Sequence, residues 1–519
     1  MAKSSKTAKS ALIIIILTLG SKLLGFFRET LIAANFGSGV ESDTFFIAIS
    51  ATGLVTTLMM NAISTTFVPI LSEVEAKEGK DGKIDHTNNM MNIIIFVSLI
   101  LVIVTWILSP IIIKLLAVGF DGEQFDLAVT LTRIGLPMIL FRSIIGSLTG
   151  YLHSEQKYVS SAAIGFPYNF TFIIFLLFLS SRFGIKGLMV AAVLAVISQF
   201  LIQIPEARKT GFKYSFKFDI KDKYIKKVLY LSIPVLIGVA IDDVKVILNK
   251  SLASNLVDGS ISALNYSYKI NSLVLGVFIT ALTTVIFPLL SKESNNDNIE
   301  GMKKIMSYGV NLILLITIPA TIGIIILGTP IVQVAFERGK FTPDDTIMTS
   351  SALVFYSLGL IASSLRLLLI RVYYSLQDTK TPMINGVISV GFAIVLNLVL
   401  VRFMAHSGLA LSTSISTTIA VLLMFHGLRK KIGSLGTRGY IITFVKSIIA
   451  SGIMGLVVYF TYNGVYGILG VSKLYNLISL LSSVGLGALV YGILCYIFKV
   501  KEVRDMVDYL IGKLKQRLR

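Results

Sequence analysis

Met90-Met91-Asn92-Ile93-Ile94-Ile95-Phe96-Val97-Ser98-Leu99-Ile100-Leu101-Val102-Ile103-Val104-Thr105-Trp106-Ile107-Leu108-Ser109-Pro110-Ile111-Ile112-Ile113-Lys114-Leu115-Leu116 holds a single charge, at Lys114. A helix needs roughly 20 largely apolar residues to cross about 30 Å of hydrocarbon, so this stretch reads as a transmembrane helix. Residues 11–35, 44–71, 127–152, 158–180 and 186–207 pass the same test, as do 226–252, 261–290 and 303–328. So do 347–375, 382–404, 408–429, 439–463 and 474–499. The expectation is an all-α polytopic membrane protein of about 14 spans. Transmembrane barrel strands would read as short alternating segments, which these are not.

Composition agrees with that class. Of the 519 residues, 54% are hydrophobic and 14% charged. Ordinary soluble domains carry about 25% charged residues. The net charge of +19 raises nucleic acid as a partner, but its distribution argues for topology instead. With the N-terminus inside, 30 of the 47 basic residues fall in inside segments, eight of them between Arg208 and Lys227. Outside loops hold Arg182, Lys186, Arg338, Lys340 and Lys473. This asymmetry follows the positive-inside rule and places both termini in the cytoplasm. Lys22 and Arg28 follow the first apolar run without a small-residue cleavage site, so the first helix is expected to be retained. Cys495 is the single cysteine, which excludes an intramolecular disulfide. No loop is long enough to form a separate soluble domain. The tail sets Val503, Met506, Val507, Leu510, Ile511, Leu514 and Leu518 on one helical face opposite a basic face, the pattern of a helix lying on membrane lipids.

The chain repeats itself. Phe67-Val68-Pro69-Ile70-Leu71-Ser72-Glu73 recurs as Ile286-Phe287-Pro288-Leu289-Leu290-Ser291-Lys292. Tyr151-Leu152-His153-Ser154-Glu155-Gln156 recurs as Val372-Tyr373-Tyr374-Ser375-Leu376-Gln377, and Gly187-Leu188 as Gly408-Leu409. The shifts are all close to 220 residues, six spans, so the two copies share one membrane orientation. The expected organisation is a six-helix lobe at 1–225, a second at 226–432, two added helices at 433–499 and an amphipathic cytoplasmic tail at 500–519. Parallel repeats of this kind build transporters with a substrate site between the halves near midplane.

Twelve basic residues lie within spans or near their ends. Each costs roughly 2.5–3.5 kcal/mol at the centre of a lone helix. Lys114, Arg402 and Lys446 lie near span ends and reach the headgroups. Lys22, Arg28 and Lys269 lie deeper. Two readings of them stay open: they face a hydrated cavity and bind an anion such as a phosphate, or they are buried as ion pairs, for which Glu29 is adjacent to Arg28. Lys245 has Asp242 and Asp243 near it in the same way. Catalytic motifs are missing. There is no Walker loop, and His86, His153, His406 and His426 are scattered without metal-ligand spacing. No cofactor is expected. Asp242 or Asp243 with Asn397 and Thr417 offers oxygen ligands for a sodium ion, although polar contacts between helices explain them more simply.

Further stretches carry a family likeness. They are Ser21-Lys22-Leu23-Leu24-Gly25-Phe26-Phe27-Arg28-Glu29, Phe36-Gly37-Ser38-Gly39, Ser42-Asp43-Thr44-Phe45-Phe46, and the Phe67–Glu73 motif. In the second half they are Gly339-Lys340-Phe341-Thr342 and Tyr373-Tyr374-Ser375-Leu376-Gln377-Asp378-Thr379-Lys380-Thr381-Pro382. With these motifs the chain resembles the MurJ/MviN family, the lipid II flippases of the multidrug/oligosaccharidyl-lipid/polysaccharide exporter superfamily. The resemblance implies two lobes around a cationic cavity in the bacterial cytoplasmic membrane. It implies a cargo of undecaprenyl-pyrophosphate carrying the peptidoglycan precursor, energy from sodium or the membrane potential, and contact with the cell-wall synthesis machinery. By the same resemblance Arg28 matches an essential basic residue, Lys22 and Lys269 stand where arginine is frequent, Asp43 matches the acidic residue of the periplasmic gate, and Glu29 matches an acidic neighbour of the arginine. Thr56-Thr57 and Asn61 depart from the family's Arg-Arg pair and glutamate. Lysine lacks the bidentate fork of arginine, so a flippase for another undecaprenyl-linked glycan stands as the alternative cargo reading, ahead of a drug/cation antiporter.

Overall fold

The computed structural model describes residues 2–470 and 472–508, apart from the side chains of 2–12, 15, 58–66, 229, 233–242, 280, 281, 284 and 469. The described residues are almost entirely helical. The first nine helices are α1 (Ala2–Phe36), α2 (Val40–Leu116), α3 (Gly122–Gly135), α4 (Pro137–Ser154), α5 (Tyr158–Ala163), α6 (Gly165–Phe178), α7 (Ser180–Lys209), α8 (Lys223–Ala253) and α9 (Ser260–Val274). A π-turn at Leu275–Ile279 leads into α10 (Thr280–Asn295), α11 (Ile299–Phe336), α12 (Pro343–Leu358), α13 (Leu360–Ser375), α14 (Lys380–Ile432), α15 (Thr437–Leu469) and α16 (Lys473–Ile497). Each of the fourteen apolar stretches lies on one helix or runs across consecutive ones, apart from the last two residues of 474–499.

Several of these helices double back. As straight rods the 77 residues of α2 would run about 115 Å. Instead Gly79 takes φ 74°, outside the helical region. Phe67 and His86 then come within 6.3 Å, ring to ring. Phe67, Ile70, Leu71 and Val74 share one buried cluster with Met90, Met91 and Ile94. α14 reverses at Ala405 (φ 47°, ψ −133°), and the Ser389 hydroxyl donates to the Ser416 carbonyl at 2.8 Å across the two limbs. Among the described residues, eight helices are long and apolar enough to cross a membrane, or nine if the bent pair α12 and α13 forms one span. That number is lower than 14 partly because α14 counts once although its two limbs run side by side.

The internal repeat is written in the backbone at an offset of 221 residues. Gln156 (φ 58°) and Gln377 (φ 56°) are both left-handed. Each closes a helix the same way: Lys157 N–H donates to Leu152 O at 2.8 Å, and Asp378 N–H to Tyr373 O at 3.0 Å. This is the six-to-one bond that ends a helix on a left-handed residue. The breaks at Gly184 (φ 55°) and Ala405 (φ 47°) are separated by the same interval. Two unrelated segments have no reason to share such conformations at one spacing.

Packing divides the chain into two compact units, Met1–Ser262 with Arg338–Thr342, and Ala263–Glu337 with Pro343–Arg519. The division at 262 differs from the lobe boundary expected at 225. α8 goes with the first unit because it packs along α2, with Tyr224, Ile225 and Val228 in the cluster that holds Phe67 and Leu71. In the second unit, Ile313, Leu368, Tyr373 and Met424 centre a core built from α11, α13 and α14. Helices α15 and α16 pack on α11, through Met454 and Val458 against Leu327. The tail is helical over 501–508. There Val503 rests on Cys495 and Val500, while Met506 is exposed. Leu510, Ile511, Leu514 and Leu518 lie outside the described residues.

Candidate functional site

The first candidate centre is built on α1 and α6. The two helices approach closely because Gly165 faces Ser21, leaving no room for a side chain there. Asn169, buried on α6, sits opposite Gly25. Its Nδ2 donates to the Ser21 carbonyl at 3.0 Å, and its Oδ1 accepts from Arg28 Nη1 at 3.1 Å. Arg28 Nη2 donates to Glu29 Oε1 at 2.6 Å. The guanidinium lies 5.1 Å from the Tyr168 ring centre and 5.0 Å from that of Phe172. A cation is thus held inside the first unit by one carboxylate, one amide and two aromatic faces, a set that offsets the cost of its burial.

Of the two readings left open for Arg28, the geometry therefore displays the ion pair: its side chain is 12% exposed and that of Glu29 4%. Nε has no acceptor among the described residues. Lys22, half-buried, lies six residues earlier on α1, about 9 Å along the axis. Lys269, also half-buried, is on α9 in the second unit. So Lys22 and Arg28 share a helix, whereas Lys269 belongs to the other compact unit.

The second centre surrounds Asp43, which is 3% exposed near the start of α2. Its Oδ2 accepts from the Gly259 N–H at 2.8 Å. Its Oδ1 accepts from the Ser262 N–H at 2.7 Å and from the Ser262 hydroxyl at 2.5 Å. Gly259 and Ser262 are the cap and third residue of α9, so a carboxylate from another helix satisfies N–H groups that α9 leaves open and meets the positive end of its dipole. The Ser38 hydroxyl donates to the Gly259 carbonyl at 2.9 Å. At Gly259, φ is +89° and an added Cβ would lie 2.3 Å from the Ser38 carbonyl oxygen, so only glycine fits. From further along the chain, Lys340 N–H donates to the Ala34 carbonyl at 2.8 Å, and Lys340 Nζ lies 3.4 Å from Glu41. The segments 34–43, 254–262 and 338–342 form one knot inside the first unit.

Sequence reading singled out Asp43 but missed Ser38, Gly259 and Ser262. The available signal was the pair Gly37 and Gly259, 222 residues apart and both left-handed (φ 68° and 89°).

The remaining expected residues lie on α2, α8 and α14. Asn397 is buried on the first limb of α14. Thr417, on the second limb, donates to the Thr413 carbonyl at 2.7 Å. Asp243 is half-buried on α8 in the first unit. The side chains of Asp242 and Asn61 lie outside the described residues. Thr56, where the resemblance implies arginine, is buried and donates to the Gly53 carbonyl at 2.9 Å, while Thr57 is exposed. No group of three or more histidine, cysteine, aspartate or glutamate side chains among the described residues is placed to hold a metal ion.

A third charged cluster sits in the loop between the limbs of α2. Lys83 is 1% exposed and meets both Glu75, at 2.7 Å, and Glu155. Burial alone would depress its ammonium, but the hydrogen bonds to Glu155 and Glu75 outweigh it and hold the group above its ordinary value. Burial lowers the His86 imidazole despite Asp222 at 3.2 Å.

Comparison with known proteins points to one family. The sequence profile of the family described as Lipid II flippase MurJ matches residues 32–478. A Vibrio cholerae protein described as a probable lipid II flippase MurJ is 32% identical over 441 residues, covering 82% of this chain and 83% of the relative. A lipid II flippase MurJ of Burkholderia cenocepacia is 29% identical, covering 80% and 82%. A solved structure described as lipid II flippase MurJ in an inward closed conformation superposes with a TM-score of 0.80 at 28% identity, covering 96% of this chain and all of the other. An inward-facing multidrug resistance transporter of the MATE family shares the fold at a TM-score of 0.68 and 15% identity, covering 82% and 99%. With a family match across most of its length and buried cations and carboxylates fixed on a multi-helix membrane fold, this chain belongs to the lipid II flippase MurJ family.

Proposed function

We propose that this protein carries undecaprenyl-pyrophosphate-linked peptidoglycan precursor from the inner to the outer leaflet of the bacterial cytoplasmic membrane by alternating access. The observation that carries the reading is the match over residues 32–478 to a family described by that cargo. Physical chemistry supports it. On this reading the basic side chains of Lys22 and Arg28 on α1 and of Lys269 on α9, all within apolar spans, would meet the anionic headgroup, Arg28 by exchanging Glu29 for it. The Asp43 knot joins segments from both halves of the sequence by hydrogen bonds that form and break as a unit, which suits a gate on one side of an alternating-access cycle. On this reading both termini and the 208–225 loop are cytoplasmic, as the basic residues require.

The test is complementation of a conditional lipid II flippase mutant with the full chain, with membrane expression measured in parallel. Restored growth is the expected result. A well-expressed protein that fails there, but restores export of another undecaprenyl-linked glycan, would overturn the cargo. The observation that favours this second cargo is Thr56-Thr57, where the resemblance implies two arginines whose guanidinium forks suit phosphate.

A further inference from the structure

Residues 212–219 cross the start of the second limb of α2, outside any helix. A row of asparagines on α2 takes up their backbone groups. Asn88 Nδ2 donates to Lys213 O at 2.9 Å, and Asn92 Nδ2 donates to Ser215 O at 3.2 Å and Lys217 O at 3.0 Å. Asn89 Nδ2 donates to Asp219 O at 3.0 Å, and Asp219 N–H returns a bond to Asn89 Oδ1 at 2.7 Å. The strap is therefore fixed without a sheet partner. Tyr214, Phe216 and Phe218 are 59%, 80% and 40% exposed, alternating with Ser215 and Lys217. Aromatic side chains presented in this way partition to the membrane–water interface.

Beneath the strap is a cavity of about 750 Å³ whose walls include Met91 and Ile95 of α2, Ile144 and Leu148 of α4, and Phe200 and Ile204 of α7. Arg208, Lys213 and Tyr214 form its polar border. Three neighbouring lysines are paired: Lys217 with Asp85 at 2.9 Å, Lys209 with Glu206 at 3.7 Å, and Lys223 with Glu78 at 3.4 Å. Arg208 and Lys213 form no ion pair among the described residues. Lys80, Lys221 and Lys226 form none among the described residues either, but of these cations Arg208 and Lys213 are the two that line the apolar cavity.

We propose that this cavity holds an acyl chain of an anionic glycerophospholipid from the cytoplasmic leaflet, with its phosphate between Arg208 and Lys213. An apolar, interhelical cavity of this size suits a hydrocarbon chain. Basic pockets between transmembrane helices on the cytoplasmic side select anionic headgroups. The site lies wholly in the first compact unit and does not depend on the cargo; it rests only on the cytoplasmic placement of the 208–225 loop.

Native mass spectrometry of the full chain released from detergent micelles, titrated with phosphatidylglycerol or phosphatidylcholine of matched chains, tests the site. Wild type is expected to retain phosphatidylglycerol selectively. The Arg208→Ala, Lys213→Ala variant is expected to lose about tenfold or more in apparent affinity, whereas the charge-matched Lys217→Ala, Lys221→Ala variant is not. Ile204→Trp, which fills the cavity without changing charge, is expected to lose the same lipid; if it melts early, Ile144→Phe serves instead. Equal retention of phosphatidylcholine, equal loss in the charge-matched control, or unchanged binding in the filled cavity would each overturn the proposal. So would displacement of phosphatidylglycerol by undecaprenyl phosphate at lower concentration, which would assign the cavity to a polyprenyl chain.

Discussion

Replacing Arg28 by alanine removes more than a charge. Glu29, with a side chain 4% exposed, loses its guanidinium at 2.6 Å. Breaking a buried pair from one side costs about 3–5 kcal/mol. The bond to Asn169 and the stacking on Tyr168 and Phe172 go as well, so Arg28→Ala is expected to melt early in detergent and to transport poorly for that reason alone. The informative variant is Arg28→Met combined with Glu29→Gln. It removes both charges and keeps the volume, a replacement that is often neutral to within about 1–2 kcal/mol. If Arg28 meets an anionic cargo, this double variant melts near wild type yet still fails to flip lipid II. Arg28→Lys keeps the charge but loses one arm of the fork and is expected to be intermediate in transport. The assays are thermal melting of purified protein, reconstituted flipping and expression-controlled complementation. A double variant that is stable and flips at the wild-type rate would refute a cargo role and leave the pair as a structural strut between α1 and α6.

Asp43→Asn keeps the shape but offers one acceptor oxygen and one N–H₂ to three donors from Gly259 and Ser262, so at least one charged hydrogen bond is lost, worth about 1.5–3 kcal/mol; faster amide exchange at 259–262 is expected, and unchanged protection would remove the clamp from the scheme. In a variant lacking Cys495, Lys217→Cys is expected to resist an impermeant thiol reagent added outside intact cells, and ready labelling would invert the topology. Acidification through the ordinary histidine range near pH 6.5 is expected to loosen the α2 loop. Burial holds the His86 imidazole below its ordinary value, so the folded form resists a proton that the unfolded form accepts, and stability falls as pH drops; amide exchange at residues 83–92 reads it, and a His86→Asn variant should flatten the dependence.

Membrane class, helical fold and the repeat were legible in the linear sequence. Hydropathy, span length and basic-residue bias are properties of single segments, and the bilayer acts on segments one at a time. The 221-residue repeat was visible because its helix ends reuse the same side chains, such as Gln156 and Gln377. What those segments touch was not legible. Arg28 finds Asn169 at a separation of 141 residues, Asp43 finds Ser262 at 219, and Lys340 docks its backbone on Ala34. Nor did the apolar runs reveal that α8 packs with the first unit, because Tyr224, Ile225 and Val228 satisfy the same hydropathy against any partner. Hydrocarbon rewards burial of an apolar face without choosing its neighbour. The choice rests on close approach of small residues and on hydrogen bonds and charges that must be satisfied away from water, and these are settled only when distant helices meet.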